Sequence, residues 1–109
     1  MDTIKHYRNP ISGAPAAKHI AVVRDFVVTG NVKYSGNVHS DRIYFGGIGS
    51  ATDWTIGTNQ TDIQDIPDAG QITGLIGGNY GVVLLERGIA RIEYVGSPII
   101  FSVEKVSNV

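Results

Sequence analysis

Short apolar runs separated by glycine-rich turns dominate this chain, and they predict β-strands. The clearest succession lies in the C-terminal part, where four such runs follow one another: residues 71–77, 80–86, 89–95 and 99–106. No segment carries the apolar spacing of i, i+3, i+4 and i+7 that an amphipathic helix needs. The pattern therefore predicts an all-β fold.

The N-terminal part repeats this succession with predicted strands at residues 19–23, 26–29, 41–47 and 61–66. The pairs Arg42-Ile43 and Arg91-Ile92 fall in corresponding strands about 50 residues apart, a period that suits a four-stranded propeller blade. The sequence thus predicts two antiparallel blades of four strands each.

These repeats divide the chain into three predicted parts. Residues 1–18 form an extended lead-in, residues 19–69 a first blade and residues 70–109 a second blade. Within the first blade, residues 31–40 contain glycines and asparagines and are predicted to form a loop or a wide hairpin. Residues 46–59 form a long connection that holds the single tryptophan.

The strands of the second blade favour a propeller over a sandwich. Residues 71–77 are small and glycine-rich, as a crowded central channel requires, and residues 80–86 are apolar on both faces. A strand of a plain sandwich keeps one solvated face instead. A β-sandwich or a small barrel remains the alternative fold.

Two blades do not close a propeller, since a ring needs at least about four. Two stacked blades would also leave two apolar outer faces of several hundred Å² each, more than soluble monomers usually expose. We therefore predict a homo-oligomer that closes the ring, most simply a trimer of two-blade chains.

Composition narrows the possible functions. With 109 residues and a formal net charge of −1, the chain has the size of one domain and no electrostatic reason to bind nucleic acid or an acidic membrane. The absence of cysteine excludes disulfides and thiolate metal sites. The N-terminal residues lack the apolar core of a signal peptide, so we expect no secretion signal.

The order of the turn motifs resembles that of a group of tailed-bacteriophage virion proteins. The motifs are Asp-Trp-Thr at residues 53–55, a Pro-Asp turn within 65–70, a Gly-Gly hairpin ending in Glu-Arg within 77–87, and a Tyr-Val-Gly turn within 92–98. The resemblance spans residues 19–106, although this chain is much shorter than those proteins. It implies a non-enzymatic β-propeller of the tail or head-to-tail region. Other virion proteins would be its partners, and its location would be the virion, or the host cytoplasm during assembly.

No catalytic, cofactor or metal site is predicted. The three-residue spacing of Asp62, Asp65 and Asp68 lacks the alternating ligands and the closing glutamate of a calcium loop. The histidines at positions 6, 19 and 39 have no second ligand at i+2 or i+4. We therefore predict that the chain is not an enzyme.

Five side chains are candidates for contacts with a ligand or between blades: Trp54, Tyr80, Glu86, Arg87 and Tyr94. Glu86 and Arg87 end the most apolar strand, where they could bind a ligand at the rim or pair with each other and with neighbouring blades. The aromatic side chains could stack on a sugar ring or wedge between blades. The predicted function is structural assembly, and the alternative is a lectin-like propeller with carbohydrate sites between blades.

Overall fold

The computed structural model describes residues 14–34, 36–50, 52–57, 59–96 and 99–108. These residues form eight strands: β1 (Ala16–Val23), β2 (Phe26–Tyr34), β3 (Asn37–Phe45), β4 (Asp62–Asp65), β5 (Ile72–Ile76), β6 (Gly81–Leu85), β7 (Gly88–Gly96) and β8 (Ile100–Asn108). Within these ranges no helix is long and apolar enough to cross a membrane. The predicted all-β class is confirmed.

The strands form two four-stranded antiparallel sheets, sheet 1 in the order β1-β2-β3-β4 and sheet 2 in the order β5-β6-β7-β8. Each sheet is a meander, without the strand exchange of a Greek key. Arg42 and Arg91 lie in the third strand of their sheets, opposite Asp65 and Glu104 of the fourth strands. The predicted pair of four-stranded antiparallel units is thus confirmed, and the repeat extends to a basic residue facing an acidic one.

Residues 31–40, predicted to be a loop or a wide hairpin, lie in a hairpin, but the strands β2 and β3 run on until Tyr34 pairs with Asn37, so the predicted loop is wrong and the hairpin is narrow. The register of β2 against β3 shifts between Gly30 and Val32. Asn31 adopts a left-handed φ of 58° there, a conformation that asparagine tolerates better than most residues. This bulge interrupts the alternation in the sequence but not the sheet.

β1 begins at Ala16, three residues before the strand that the sequence predicts. Residues 16–18 of the predicted lead-in therefore belong to β1. Residues 1–13 lie outside the described part of the chain.

The two sheets face each other across one apolar core. At its centre Phe101 is fully buried, with its ring centroid 5.0 Å from Phe26, 4.8 Å from Phe45 and 6.0 Å from Tyr94. Residues 66–71 connect β4 of sheet 1 to β5 of sheet 2, and we call this segment the crossover. The other buried residues of the core come from both sheets and from the crossover: Val23, Val28, Ile43, Ile66, Ala69, Ile72, Val83, Leu85, Ala90, Ile92 and Ile100. Edge-to-face aromatic packing across the core fixes the two sheets to each other.

The first strands of the two sheets also meet directly at one end. The backbone N–H of Arg24 donates to the carbonyl of Gly78 (2.8 Å), and the N–H of Gly78 donates to the carbonyl of Val22 (3.0 Å). A side chain at Gly77 would overlap the Val22 backbone. Glycine is therefore required where the ends of β1 and β5 approach each other.

A second apolar cluster covers part of the other face of sheet 1. The connection between β3 and β4 folds back so that Trp54 packs on Tyr44, with ring centroids 5.7 Å apart. The Tyr44 hydroxyl donates to the Trp54 carbonyl (2.6 Å). Gly46 lies under the indole, which a Cβ there would approach to 3.2 Å. The connection thus seals this part of sheet 1.

Candidate functional site

The outer face of sheet 2 is apolar and uncovered in the described chain. Along β6, Val83 and Leu85 point into the core, whereas Val82 and Leu84 alternate to the outer face and are half-buried. In the register, Leu84 lies between Gly74 and Ile89, and Val82 lies beside Ile76, which is 54% exposed. We call Ile76, Val82, Leu84 and Ile89 the sheet-2 patch.

Charged and polar groups border this patch on the β7 side. Arg91 forms a salt bridge with Glu93, and its guanidinium lies 5.3 Å from the centroid of the Tyr80 ring. Glu104 of β8 lies opposite Arg91 in the register. Protein–protein interfaces commonly combine an apolar centre with a polar rim of this kind.

Sheet 1 has a smaller exposed apolar patch on its own outer face. Ile20 and Val22 of β1 are 44% and 60% exposed, and Val27 of β2 lies opposite Val22. The Trp54 cluster covers the rest of that face and packs against the partly buried Val27, but it leaves Ile20 and Val22 accessible. We call Ile20, Val22 and Val27 the sheet-1 patch.

Two of the predicted contact residues pack inside the chain. Trp54 is 7% exposed and contacts sheet 1. Tyr94 lies between the two sheets, 5.4 Å from the Phe26 ring, and its hydroxyl donates to Gln60 Oε1 (2.7 Å). Tyr80, in contrast, is 48% exposed. The structure therefore does not gather the predicted aromatic residues into one surface.

Glu86 and Arg87 form the turn between β6 and β7, where both side chains are exposed. The Glu86 carboxylate accepts hydrogen bonds from the backbone N–H of Gln71 (3.0 Å) and from its side-chain amide (3.3 Å). Hydrogen bonds to the charged form lower the pKa of Glu86. The Arg87 backbone N–H donates to the Ala69 carbonyl (2.9 Å). This turn is thus tied to the crossover between the sheets.

Gly70 makes this close approach possible. Its φ is +82°, and a Cβ there would lie 2.5 Å from Glu86 Oε1 and 3.3 Å from an Arg87 guanidinium nitrogen. The left-handed backbone favours glycine at this position, and a side chain there would have to displace the Glu86 carboxylate.

An open cleft of about 690 Å³ lies beside this turn. Its walls come from the start of β3, the crossover and the β6–β7 turn, and its polar lining includes His39, Asp41, Asp68, Gln71, Glu86 and Arg87. The sequence gives no sign that His39 and Asp41 line a cleft: His39 falls in the segment predicted to be a loop, and Asp41 begins the strand predicted at residues 41–47. The place of His39 in β3 depends on the bulge at Asn31, for which there is no local sequence pattern.

Two other titratable groups have shifted pKa values. Arg42 holds the pKa of Asp65 below its ordinary value through hydrogen bonds of 2.7 and 3.2 Å. Burial lowers the pKa of His19. Among the described residues, no three His, Asp or Glu side chains are placed to hold a metal ion.

Comparisons with protein-family models, with curated proteins and with solved structures found no match for this chain. The evidence on its function therefore comes from the two apolar patches and the cleft.

Proposed function

We propose that the chain is a non-enzymatic structural module that assembles with copies of itself into a closed β-propeller ring. The observation that carries this proposal is the uncovered sheet-2 patch, in which Leu84 and Val82 face away from the core of their own chain. Soluble proteins rarely leave an extended apolar sheet face without a cover.

The position of the two patches favours a second copy of the chain as that cover. Within the chain, β5 of sheet 2 lies against β1 and β2 of sheet 1. The sheet-1 patch lies on β1 and β2, and the sheet-2 patch lies mainly on β5 and β6, which are the corresponding strands of the two units. Docking the sheet-2 patch of one copy onto the sheet-1 patch of the next would repeat the contact between sheets, and repetition of a heterologous contact generates rings.

The energetics favour a closed ring over open pairs. Burying the exposed half of each Val, Leu or Ile in the patches contributes roughly 1 kcal/mol, so one contact gives several kcal/mol. Association costs about 4–15 kcal/mol because translational and rotational freedom is lost, so a single contact between two copies is weak. A closed ring has one more contact than it has association steps, since the last contact forms within the assembly.

The order of turn motifs supports placing this module in a tailed-phage virion. Propellers of that group are similar in their Trp-Thr segment, Gly-Gly hairpin and Tyr-Val-Gly turn. On this proposal other virion proteins are further partners, and the assembled ring is found in the virion or in the host cytoplasm during assembly.

The alternative of a carbohydrate-binding propeller depends on exposed aromatic rings. Tyr80 is 48% exposed, and its ring is the candidate for stacking on a sugar, although the Arg91 guanidinium already lies 5.3 Å from the ring centroid. Trp54, however, is enclosed by sheet 1 and its connection. Assembly therefore has the broader structural support, and a glycan array distinguishes the two functions.

Engineered cysteines test the proposed contact, because the chain has no cysteine of its own. We expect the variants Ile20→Cys and Leu84→Cys to form a disulfide-linked dimer when they are mixed under mild oxidation, and little dimer when either is oxidised alone. A matched control pairs Leu84→Cys with Ile99→Cys, an exposed apolar position outside both patches. Preferential linkage of Leu84→Cys to itself, or equal linkage to the control, would refute the head-to-tail contact.

A further inference from the structure

The first half of β3 has an open edge that its counterpart in sheet 2 lacks. β4 pairs with β3 only from Arg42 to Phe45. Beyond that point the Ile66 N–H donates to the Asp41 carbonyl (2.8 Å), and the chain then leaves for sheet 2. In the part of the chain that the structure describes, no strand pairs with residues 37–40 on this side.

Sheet 2 shows how the same edge is covered when the fourth strand is long. β8 pairs with β7 over its whole length, from Gly88 opposite Asn108 to Gly96 opposite Ile100. Sheet 1 has a fourth strand of four residues against a third strand of nine. An unpaired strand edge is a template for the addition of another strand.

The open edge borders the cleft described above. Val38, His39 and Ser40 line one side of it, and the crossover with the β6–β7 turn lines the other. The volume of about 690 Å³ falls within the usual range of about 300–1,000 Å³ for ligand sites. The cleft therefore offers both a backbone template and room for an extended segment.

The charges of the cleft select the chemistry of that segment. Asp41, Asp68 and Glu86 contribute carboxylates to the lining, and Arg87 contributes one guanidinium. The balance is acidic, so basic side chains are favoured in an occupant. The chain's own sequence contains a segment of this composition at residues 3–9, with Lys5, His6 and Arg8.

We propose that this cleft binds an extended basic peptide segment, which adds to sheet 1 as a strand along residues 37–40. Backbone hydrogen bonds to β3 would supply affinity, while Lys or Arg side chains of the segment would face Asp41 and Asp68. The site is separate from both apolar patches, so it stands whether or not the chain forms a ring.

Amide hydrogen exchange in the full chain tests the strand addition, with a synthetic peptide of residues 2–12 as the probe. Saturating peptide should slow exchange of the amides on the open edge of residues 37–40 by about tenfold or more. If those amides already exchange slowly without peptide, the double substitution Lys5→Glu and Arg8→Glu in the chain should accelerate them. Exchange that responds to neither change would overturn the proposal.

Two matched controls separate strand addition from non-specific charge attraction. A probe with the same side chains but N-methylated backbone amides should not protect the edge, and equal protection by it would contradict backbone pairing. Asp41→Asn with Asp68→Asn should weaken binding of the original probe about fivefold. Asp25→Asn with Asp62→Asn removes the same charge outside the cleft and should leave binding unchanged. Equal weakening by both pairs would contradict the assigned site.

Discussion

Phe101→Ala tests whether one aromatic core holds the two sheets together. Phe101 is fully buried and contacts aromatic rings from both sheets, namely Phe26, Phe45 and Tyr94. Removing a buried phenyl ring costs about 3–5 kcal/mol, because transfer energy is lost and a cavity remains. A domain of this size has a free energy of unfolding of about 5–15 kcal/mol. The variant should therefore fold, but with much of its stability lost.

Urea denaturation followed by the fluorescence of Trp54, the chain's one tryptophan, measures this loss. With a slope of about 1–3 kcal/mol per molar urea, the midpoint should fall by roughly 2 M. Trp54 lies in the separate cluster on sheet 1, so its response also reports whether the sheets unfold together. All proteins in this comparison should also carry Leu84→Asp, which disrupts the proposed contact between copies, so that association does not add to the measured free energy of unfolding.

Ile99→Ala is the matched control, since Ile99 is two residues away and 62% exposed. It should change the free energy of unfolding by less than about 0.5 kcal/mol. A loss below about 1 kcal/mol for Phe101→Ala, or separate transitions for the two sheets, would refute the shared core.

Three further perturbations address the patch, the sheet junction and an ion pair. Leu84→Asp should leave a folded single chain with an unchanged circular dichroism spectrum, whereas Val83→Asp, one residue away, should unfold the chain by burying a charge; similar behaviour of the two would contradict the assigned faces. Gly77→Ala should destabilise by about 1–3 kcal/mol in urea, because its methyl group meets the β1 backbone, and an unchanged midpoint would contradict that contact. Asp65 keeps a lowered pKa beside Arg42, so its contribution is present above the ordinary carboxyl pKa and is lost as the pH falls through the lowered one. Asp65→Asn should therefore cost under about 1 kcal/mol at neutral pH and progressively less as the pH falls below the ordinary carboxyl pKa, as urea midpoints across this range would show.

The fold was predictable where local patterns report directly on strands. The apolar run from Val82 to Leu85 and the turn at Glu86 and Arg87 locate β6 and the turn that follows it, because a sheet that is apolar on both faces produces a continuous run. The sequence did not reveal the long β2 and β3, since the bulge at Asn31 is stabilised by a hydrogen bond to the Ile72 carbonyl of the other sheet. Such a contact is tertiary and leaves no local signal.

The candidate sites were predictable only in part for a similar reason. The apolar residues at 82 and 84 predicted an apolar outer face, and the structure shows one. The sequence does not indicate whether the Trp54 ring is exposed to a ligand or packed against the sheet, because that depends on how the β3–β4 connection folds onto Tyr44. The cleft depends on the short β4 and on the position of the crossover, both of which are set by the packing of the two sheets.

The mass of the wild-type chain in solution, measured by light scattering on a sizing column over a dilution series, tests the central claim most directly. Assembly into a ring predicts a discrete small multiple of the 11.7 kDa chain, with a trimer favoured and with single chains rather than open intermediates appearing on dilution. A single chain at every concentration would contradict the ring and would leave a self-contained pair of sheets.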